Sequence, residues 1–449
     1  MGLTGIQIFK LLPKTNCGEC GVPTCLAFAM NLAAGKAELD KCPYVSAEAK
    51  EKLASESAPP IRPLTIGTGE YAVKVGGETV LFRHEKTFVN PPGLAVMVST
   101  AEDAATVDGK IGRFQKAQYD RVGLKLRAEM IAVKDAGGGA DAFCALAGKV
   151  AATGAAMIFI SESADVLTAA ADKFKDKKPL LYAATAGNVE AMGNLAKASE
   201  CPVAVKGDGT IESVIALSEK LSGMGVKDIV LDSGTRDLKK AFSEQIMIRR
   251  SALKDRFRPL GFPTIVMANE MGDGLMEEAL VAATFIAKYG ALIVMSDLQP
   301  HVLFPLLLER LNIYTDPQRP MTAEQGIYPI NNPDENSPVM VTCNFSLTYF
   351  IVSGEVEGSR VPSWLLVQDT EGLSVMTAWA AGKFSGETVG TFINKCGIKD
   401  KVKHKNIIIP GYAAGISGEL EEELGAGWTV SVGPREASQI PKFLKSFKA

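Results

Sequence analysis

From residue 93 onward the chain alternates, eight times in succession, between a short apolar run and a longer stretch of helical period. The runs are 94–98, 129–133, 155–160, 180–184, 203–206, 228–231, 263–267 and 291–295. Most are spaced by roughly 20–35 residues rich in Ala, Leu, Lys and Glu, with the 3.6-residue periodicity of helices. A strand that is apolar along its whole length must be buried on both faces, which is the condition of a parallel sheet covered by helices on each side. Eight such βα units over about 220 residues fit a (β/α)8 TIM barrel. A doubly wound open sheet accommodates the same units, but eight in unbroken succession favour closure.

The flanks differ in kind. Residues 1–58 carry helical patterns at 25–35 and 46–55, followed by a proline-rich linker at 58–63, where fixed φ angles resist helix. Two β-runs, 71–75 and 79–83, separated by Gly76, Gly77 and Glu78, predict a hairpin. Residues 300–338 contain seven prolines and predict an extended connection. Beyond it, apolar runs at 339–343, 364–367, 406–409 and 428–432 alternate with helical stretches at 373–382, 385–395 and 415–424. They predict a small open α/β domain whose ligand sits in loops beyond the carboxyl ends of its strands. The expected division is 1–58, a linker and hairpin at 59–92, a barrel at 93–315 and a last domain at 325–449.

Composition narrows the function. Hydrophobic residues make up 47% and charged residues 22%, and 48 Lys+Arg stand against 51 Asp+Glu, a net charge of −3. The basic surplus of a nucleic-acid-binding protein is missing. No apolar run approaches the ~18 residues of a membrane span, and the opening apolar stretch is too short for a signal peptide. A cytoplasmic protein is expected. Three widely separated histidines, His84, His301 and His404, argue against a histidine-rich metal centre and a Ser/His/Asp hydrolase.

Four of the eight cysteines fall within the first 42 residues, as Cys17-x2-Cys20-x4-Cys25-x16-Cys42-Pro43. In a reducing compartment such clustering points to metal rather than disulfides. Four thiolates suit either a zinc site or an iron–sulfur cluster. The pairing is not that of a zinc ribbon, because the second C-x2-C knuckle is broken into single cysteines. Gly18 and Gly21 let backbone N–H groups approach inorganic sulfide, and a proline after the last cysteine also occurs in ferredoxin ligand runs. The segment reads as a [4Fe–4S] site.

Extended over the whole chain, the sequence resembles the large (gamma) subunits of the corrinoid iron–sulfur proteins of the reductive acetyl-CoA (Wood–Ljungdahl) pathway of anaerobes. The resemblance rests on Asn16-Cys-Gly-Glu-Cys-Gly-Val-Pro-Thr-Cys-Leu-Ala-Phe-Ala-Met, on Lys178-Pro-Leu-Leu-Tyr-Ala-Ala-Thr, and on Thr342-Cys-Asn-Phe-Ser-Leu-Thr-Tyr. It continues through Asp369-Thr-Glu-Gly-Leu-Ser-Val, Ile408-Ile-Pro-Gly and Val432-Gly-Pro-Arg-Glu-Ala-Ser. It implies an iron–sulfur module, a TIM barrel and a C-terminal Rossmann-like domain that binds a cobalamin-type corrinoid. The cluster ligands it implies are Cys17, Cys20, Cys25 and Cys42. The corrinoid contacts it implies are Asn344, Ser346, Thr348, Thr370, Glu371, Gly372, Leu373, Ser374, Thr377, Gly411, Ala413, Ala414, Gly433, Pro434, Arg435, Glu436 and Ala437.

The implied role is that of a methyl carrier, a component of a methyltransferase system rather than a stand-alone enzyme. The corrinoid, as Co(I), accepts a methyl group from methyltetrahydrofolate through a separate methyltransferase and delivers it to acetyl-CoA synthase. The cluster relays electrons that reactivate Co(II). The implied partners are a smaller TIM-barrel subunit in a heterodimer, the methyltransferase, acetyl-CoA synthase/CO dehydrogenase and a reductive activator. No histidine lies in the Asp-x-His-x-x-Gly motif that ligates cobalt in many corrinoid proteins, so the corrinoid is expected base-off and without histidine ligation, which makes Co(I) easier to reach. The alternative from another class is an iron–sulfur electron-transfer subunit without corrinoid.

Other features take plain readings. The barrel strands end near Lys134, Asp135, Glu162, Asp232, Asn269, Glu270 and Asp297, positions that are catalytic in barrel enzymes, yet no motif ties them to a reaction. Gly137-Gly138-Gly139 lacks phosphate-cradle spacing. Cys144, Cys201, Cys343 and Cys396 read as packing residues, Trp364 and Trp428 as core, and the lysine-rich 173–178 and 399–405 as solvated faces.

Overall fold

The computed structural model describes residues 5–33, 37, 39–46, 49, 50, 53, 59–121, 124–316, 319 and 321–447. The helix expected at 46–55 lies largely outside them. Contacts divide the chain into two units, Met1–Leu81 with Val89–Val107 and Glu129–Asp297, and Phe82–Phe88 with Asp108–Ala128 and Leu298–Ala449.

In the first unit, helices Gly5–Leu11 and Cys25–Ala33 pack closely. A Cβ on Gly5 would stand 2.2 Å from Met30 Sδ, so a larger residue there would have to push the Met30 side chain aside. Ile8, Leu12, Phe28, Ala29, Cys25 and Cys42 share one buried cluster. The hairpin expected between 71–75 and 79–83 does not form, and the first of these runs pairs with an earlier segment instead. Strand β1 (Leu64–Ile66) pairs antiparallel with β2 (Val73–Val75), and the run 79–83 is not a strand. Arg249 donates to Val80 O at 2.8 Å and Tyr289 OH to Leu81 O at 2.7 Å, so side chains take the carbonyls that a partner strand would have used. Glu78 anchors this turn from inside. It is 6% exposed, pairs with Arg249 at 3.0 Å and accepts from Val89 N at 2.9 Å. The proline-rich segment is pinned as well, with Arg62 N donating to Gly261 O and Gly77 N to Ile61 O.

All eight expected barrel strands form. They are β3 (Gly93–Ser99), then, after the short antiparallel pair β4 (Tyr119–Arg121) and β5 (Leu124–Leu126) of the second unit, β6 (Met130–Lys134), β7 (Ala156–Ile160) and β8 (Leu180–Ala184). β9 (Val203–Lys206), β10 (Ile229–Asp232), β11 (Ile265–Met267) and β12 (Leu292–Met295) complete the set. The order β10-β9-β8-β7-β6-β3-β12-β11 is parallel throughout, and an isolated bridge between Leu231 and Thr264 brings β10 to β11, leaving a nearly closed eight-stranded barrel. Its interior is filled by Met130, Ala132, Ile158, Tyr182, Val230, Leu292 and Val294, joined by Leu64, Ile66, Val73 and Val75 of the hairpin. This is a packed core rather than a pore.

In the second unit, the proline-rich stretch is more structured than its composition predicts. Pro300 opens a helix, Pro300–Ile313, at the position where its missing N–H costs nothing, and 326–330 forms strand β13 (Gly326–Ile330). The last sheet adds β14 (Val339–Cys343), β15 (Ser363–Gln368), β16 (Asn406–Ile409) and β17 (Thr429–Val432) in the order β13-β15-β14-β16-β17. β13 is an antiparallel edge and the other four strands are parallel. Successive strand residues feed opposite clusters. Val339, Val341, Leu366, Ile407 and Ile409 pack with the helices Gly386–Lys395 and Ser417–Leu424, whereas Met340, Leu365, Val367 and Ile408 pack with Val356 of Ser346–Ser359 and with Ile440 and Leu444 of Ile440–Ser446. The sheet is therefore covered on both faces, as its apolar runs require.

Candidate functional site

In the four parallel strands of the last sheet, chain order reads second, first, third, fourth, so the direction of winding reverses between β14 and β16. In open α/β sheets that switch point leaves a crevice beyond the carboxyl ends of the strands. A cleft of about 280 Å3 lies there, lined by Met340, Val341 and Thr342 of β14, Ile409 and Pro410 at the end of β16, and Gly433, Pro434 and Arg435 after β17. Thr348, Ile351 and Val352 of the helix after β14 line it too, with Ser374, Val375, Met376, Tyr412, Ala437 and Ile440. The lining is mainly aliphatic. Within it Thr342, 2% exposed, has a buried hydroxyl with no hydrogen-bond partner among the described residues. An orphaned buried hydroxyl costs on the order of 1–3 kcal/mol, a debt that a ligand polar atom in the cleft would cancel.

Two loops shape this cleft. At the end of β14, Asn344 is 4% exposed and its carboxamide is wholly engaged. Oδ1 accepts from Thr370 N (3.0 Å), Thr370 Oγ1 (2.9 Å) and Gly372 N (3.0 Å), and Nδ2 donates to Asp369 Oδ1 at 2.8 Å. The 369–373 turn so held contains Glu371 and Gly372 at φ +55° and +78°, and Glu371 pairs with Lys383. The second loop follows β16, where Gly411 faces the 433–435 backbone. A Cβ there would meet Gly433 O at 2.6 Å and Arg435 N at 2.7 Å. Arg435 lies over the Tyr412 ring at 5.8 Å, and Tyr412 OH donates to Glu436 at 3.2 Å.

Of the residues expected to hold a corrinoid, Thr348, Ser374, Gly433, Pro434, Arg435 and Ala437 line the cleft. Asn344, Thr370, Gly372 and Leu373 instead form the hydrogen-bonded frame of the turn, Leu373 through its carbonyl to Thr370 Oγ1 at 2.8 Å. Ser346 N is bonded to Met321 O, and Thr377 shares a hydroxyl contact with Ser374 at 3.0 Å. Gly411 and Ala413 are buried behind the lining, while Glu371, Ala414 and Glu436 stand exposed. The aliphatic lining, Met340, Val341, Ile351, Val352, Val375, Met376, Ile409 and Ile440, escapes sequence reasoning because each residue is indistinguishable from core. An apolar slot with hydroxyls at Thr342, Thr348 and Ser374 and one guanidinium suits the donor-rich, apolar-faced corrin that the resemblance implies.

None of the three histidines reaches this cleft by the bonds it makes. His404 Nε2 contacts Ser337 O at 2.9 Å and its Nδ1 accepts from Asn406 N at 3.2 Å, at the amino ends of β14 and β16. His84 stacks on Phe82 at 5.6 Å, and His301 lies in the helix Pro300–Ile313.

The cysteines at the start of the chain are all free thiols, graded from exposed Cys17 through half-buried Cys20 to buried Cys25 and Cys42. Asn16 bridges back to the helix start. Its Oδ1 accepts from Cys25 N at 2.8 Å, and its own N–H points at Cys25 Sγ at 3.4 Å, the donor-to-sulfur geometry that tunes iron–sulfur sites. Gly18 and Gly21 adopt φ of +77° and +84°, with open space where a Cβ would stand. Among the described residues no three His, Cys, Asp or Glu side chains converge as ligands of one ion. In a four-iron cluster each thiolate has its own iron, so the set is wider than around a single zinc, and four free thiolates with the Asn16 N–H directed at one of them fit it.

At the carboxyl mouth of the barrel the polar residues neutralise one another. Arg236 forms a bidentate pair with Asp232 (3.0 and 3.1 Å) and a bond to Glu270 (2.5 Å), and Lys134 stands 3.9 Å from Glu270. Tyr182 OH donates to Asp232 Oδ2 at 2.6 Å. Burial works to lower the Arg236 pKa, but the bonds and charge of Asp232 outweigh it and hold the guanidinium charged. Burial, reinforced by Asp232, pushes the Tyr182 hydroxyl well above its ordinary range. Beside this network Asn269 Oδ1 is buried with no hydrogen-bond partner among the described residues.

Residues 63–444 match the family described as the CO dehydrogenase/acetyl-CoA synthase delta subunit, and residues 12–44, which hold all four clustered cysteines, match an Fe-S cluster family. The chain is 46% identical over 448 residues to the corrinoid/iron-sulfur protein large subunit of Moorella thermoacetica, covering 99% of each. It is 35% identical over 454 residues to the acetyl-CoA decarbonylase/synthase complex subunit gamma of Methanothermobacter thermautotrophicus, again covering 99% of each. The same subunit of Archaeoglobus fulgidus is 35% identical over 462 residues, with 98% of this chain and 97% of that one covered. Among solved structures, dihydropteroate synthase of Thermus thermophilus aligns with 56% of this chain and 100% of its own at 14% identity and a TM-score of 0.40, too distant to add to these relatives. With one family spanning 63–444 and relatives matched from end to end, the chain belongs to the CO dehydrogenase/acetyl-CoA synthase delta-subunit family, alongside the corrinoid/iron-sulfur protein large subunits and decarbonylase/synthase gamma subunits.

Proposed function

We propose that this chain is the methyl-carrying corrinoid iron–sulfur subunit of an acetyl-CoA pathway complex, divided as 1–58, 59–92, 93–315 and 325–449, with a Rossmann-like last domain. The observation that carries the reading is the cleft at the β14/β16 switch point, with its orphaned Thr342 hydroxyl and with His404 bonded at the opposite end of the same strands. A corrinoid bound there supplies a low-valent cobalt centre that takes up and gives away a methyl group. The chain's residues hold it by shape. The 369–373 and 433–435 loops form the rims, Thr342, Thr348 and Ser374 offer hydroxyls, and Arg435 offers the charge. No histidine lines the cleft among the described residues, so a corrinoid held there would receive no imidazole from them, which would favour its most reduced form.

Cys17, Cys20, Cys25 and Cys42 hold a [4Fe–4S] cluster in this reading, Asn16 supplies an N–H group to the Cys25 sulfur, and Gly18 and Gly21, at positive φ, shape the loop between the thiolates. A cluster held by these thiolates would supply single low-potential electrons for returning oxidised cobalt to its reduced form. Ile351, Met376 and Tyr412 line the cleft and are 44–49% exposed. That apolar rim supports docking of a smaller barrel subunit, with the folate methyltransferase, acetyl-CoA synthase and a reductive activator visiting in turn. The mutual pairing of Arg236, Asp232, Glu270 and Lys134 at the barrel mouth supports a scaffold role for the barrel.

Metal analysis and EPR of anaerobically purified protein test the reading. About one cobalt and four irons per chain are expected, with a Co(II) signal free of nitrogen splitting. Four irons without cobalt, even after reconstitution with hydroxocobalamin, would leave an electron-transfer subunit. A nitrogen-split signal would keep the carrier and refute the base-off assignment.

A further inference from the structure

We infer that Asn344 is a positioning residue that never touches the cofactor and whose carboxamide sets the 369–373 turn, and through it the Ser374–Met376 wall of the cleft. The inference rests on the corrinoid reading for its functional consequence, though its structural content stands on the hydrogen bonds themselves. Asn344 terminates β14, is 4% exposed, and makes four side-chain bonds, three accepted at Oδ1 and one donated from Nδ2. Its backbone is also fixed, with the carbonyl accepting from Ala323 N at 2.8 Å. Thr370, fully buried, has its hydroxyl spent between Asn344 Oδ1 and Leu373 O. The turn itself needs an external template, because Glu371 sits at φ +55°, a conformation that a residue with a Cβ enters only when its surroundings hold it there. Ser374 and Val375 follow directly and line the cleft, so a turn that relaxes moves the wall.

The pattern needs an atom that accepts three bonds beside one that donates. Aspartate at 344 keeps the acceptor and loses the donor, placing a carboxylate where 2.8 Å separates the present amide nitrogen from Asp369 Oδ1. The other charges on this turn, Glu371 and Lys383, are paired with each other, and neither β14 nor the 321–323 segment bonded to it carries a charged side chain. The Asn344→Asp effect must therefore depend on the ionisation of the 344–369 pair. It is greatest when both are charged and fades as pH falls and one carboxyl becomes a donor.

The experiment uses full-length protein, with hydroxocobalamin as the probe followed by its absorption, and amide exchange over 369–376 read by mass spectrometry. N344D at pH 7.5 should bind at least about tenfold more weakly than wild type, the scale of one buried bond turned to repulsion, with faster exchange confined to 369–376. At pH 5.5 the deficit should shrink while wild type stays flat. Asp369→Asn added to N344D removes one charge and should recover part of the affinity and abolish the pH dependence. N344D indistinguishable from wild type in both readouts, or a deficit indifferent to pH and to D369N, would overturn the inference. Should wild type fail to take up the corrinoid, the functional reading falls, and the exchange data still decide whether Asn344 holds the turn.

Discussion

Gly411→Ala is the sharpest structural test of the cleft. Gly411 is buried where the segment after β16 crosses the 433–435 loop, and its N–H donates to Pro434 O at 3.1 Å. A Cβ there would lie 2.6 Å from Gly433 O, 2.7 Å from Arg435 N and 2.8 Å from Pro434 C. All three are backbone atoms, so no rotamer change relieves the clash and the loop must retreat by several tenths of an ångström. The φ of Gly411 is not in the left-handed range, so alanine adds no backbone strain of its own. The cost is therefore that of overpacking, about 1–3 kcal/mol. Because Gly433, Pro434 and Arg435 line the cleft, affinity for a corrinoid should fall along with stability. Gly415→Ala is the matched control, four residues along the same 3-10 segment with nothing within 4 Å of its Cβ, and it should shift stability by less than about 0.5 kcal/mol. Urea unfolding and hydroxocobalamin titration of both variants give the comparison. Equal behaviour of G411A and G415A in both assays would refute the reasoning.

At the barrel mouth, Arg236→Met leaves Asp232, 4% exposed, without its bidentate partner, and should destabilise the protein by about 3–5 kcal/mol, as for breaking a buried ion pair; a loss under 1 kcal/mol in urea unfolding would contradict it. Tyr182 gives a pH signature. Its folded pKa is raised, chiefly by burial, so the unfolded chain releases the proton first, and stability is full below the ordinary tyrosine pKa of about 10 and declines as pH climbs beyond it. Tyr182→Phe should remove that part of the alkaline decline in denaturation midpoints measured from pH 8 to 11, and a variant with an unchanged slope would show that the decline originates elsewhere.

The barrel was legible because continuous apolar runs at regular spacing leave few alternatives, and the strands formed within two residues of their expected ends. The hairpin was not. Residues 79–83 alternate like a strand, but Arg249 and Tyr289, more than 160 residues away, take their carbonyls. Prolines misled at 300–313, because Pro300 occupies the helix position that tolerates it and the apolar period of Val302, Leu303, Leu306 and Leu307 carries the helix past Pro305. In the last domain, the loops that the sequence motifs name stand around the cleft, while its walls carry no such motif. A polar residue such as Asn344 stands out in a sequence but here is spent inward. Ile351 or Ile440 lines the cleft and looks like any other core residue.

The geometry of the sheet also bears on cobalt ligation. His404 is bonded to Ser337, and seven residues of essentially extended chain separate Ser337 from Asn344 at the cleft end of β14. At ~3.3 Å per residue that is about 20 Å, several times the reach of an imidazole. Moving the ring to the cleft would require unpairing both its nitrogens and unravelling the start of β16, where Asn406 N is bonded to it. Among the described residues lining the cleft, Arg435 is the charged one, and a guanidinium is a cation with no lone pair to give a metal. The remaining donors are hydroxyls, backbone and the thioethers of Met340 and Met376, none of them as strong a base as an imidazole. A corrinoid bound in this cleft would thus be held by shape and periphery and would find no strong axial base among the described residues lining it.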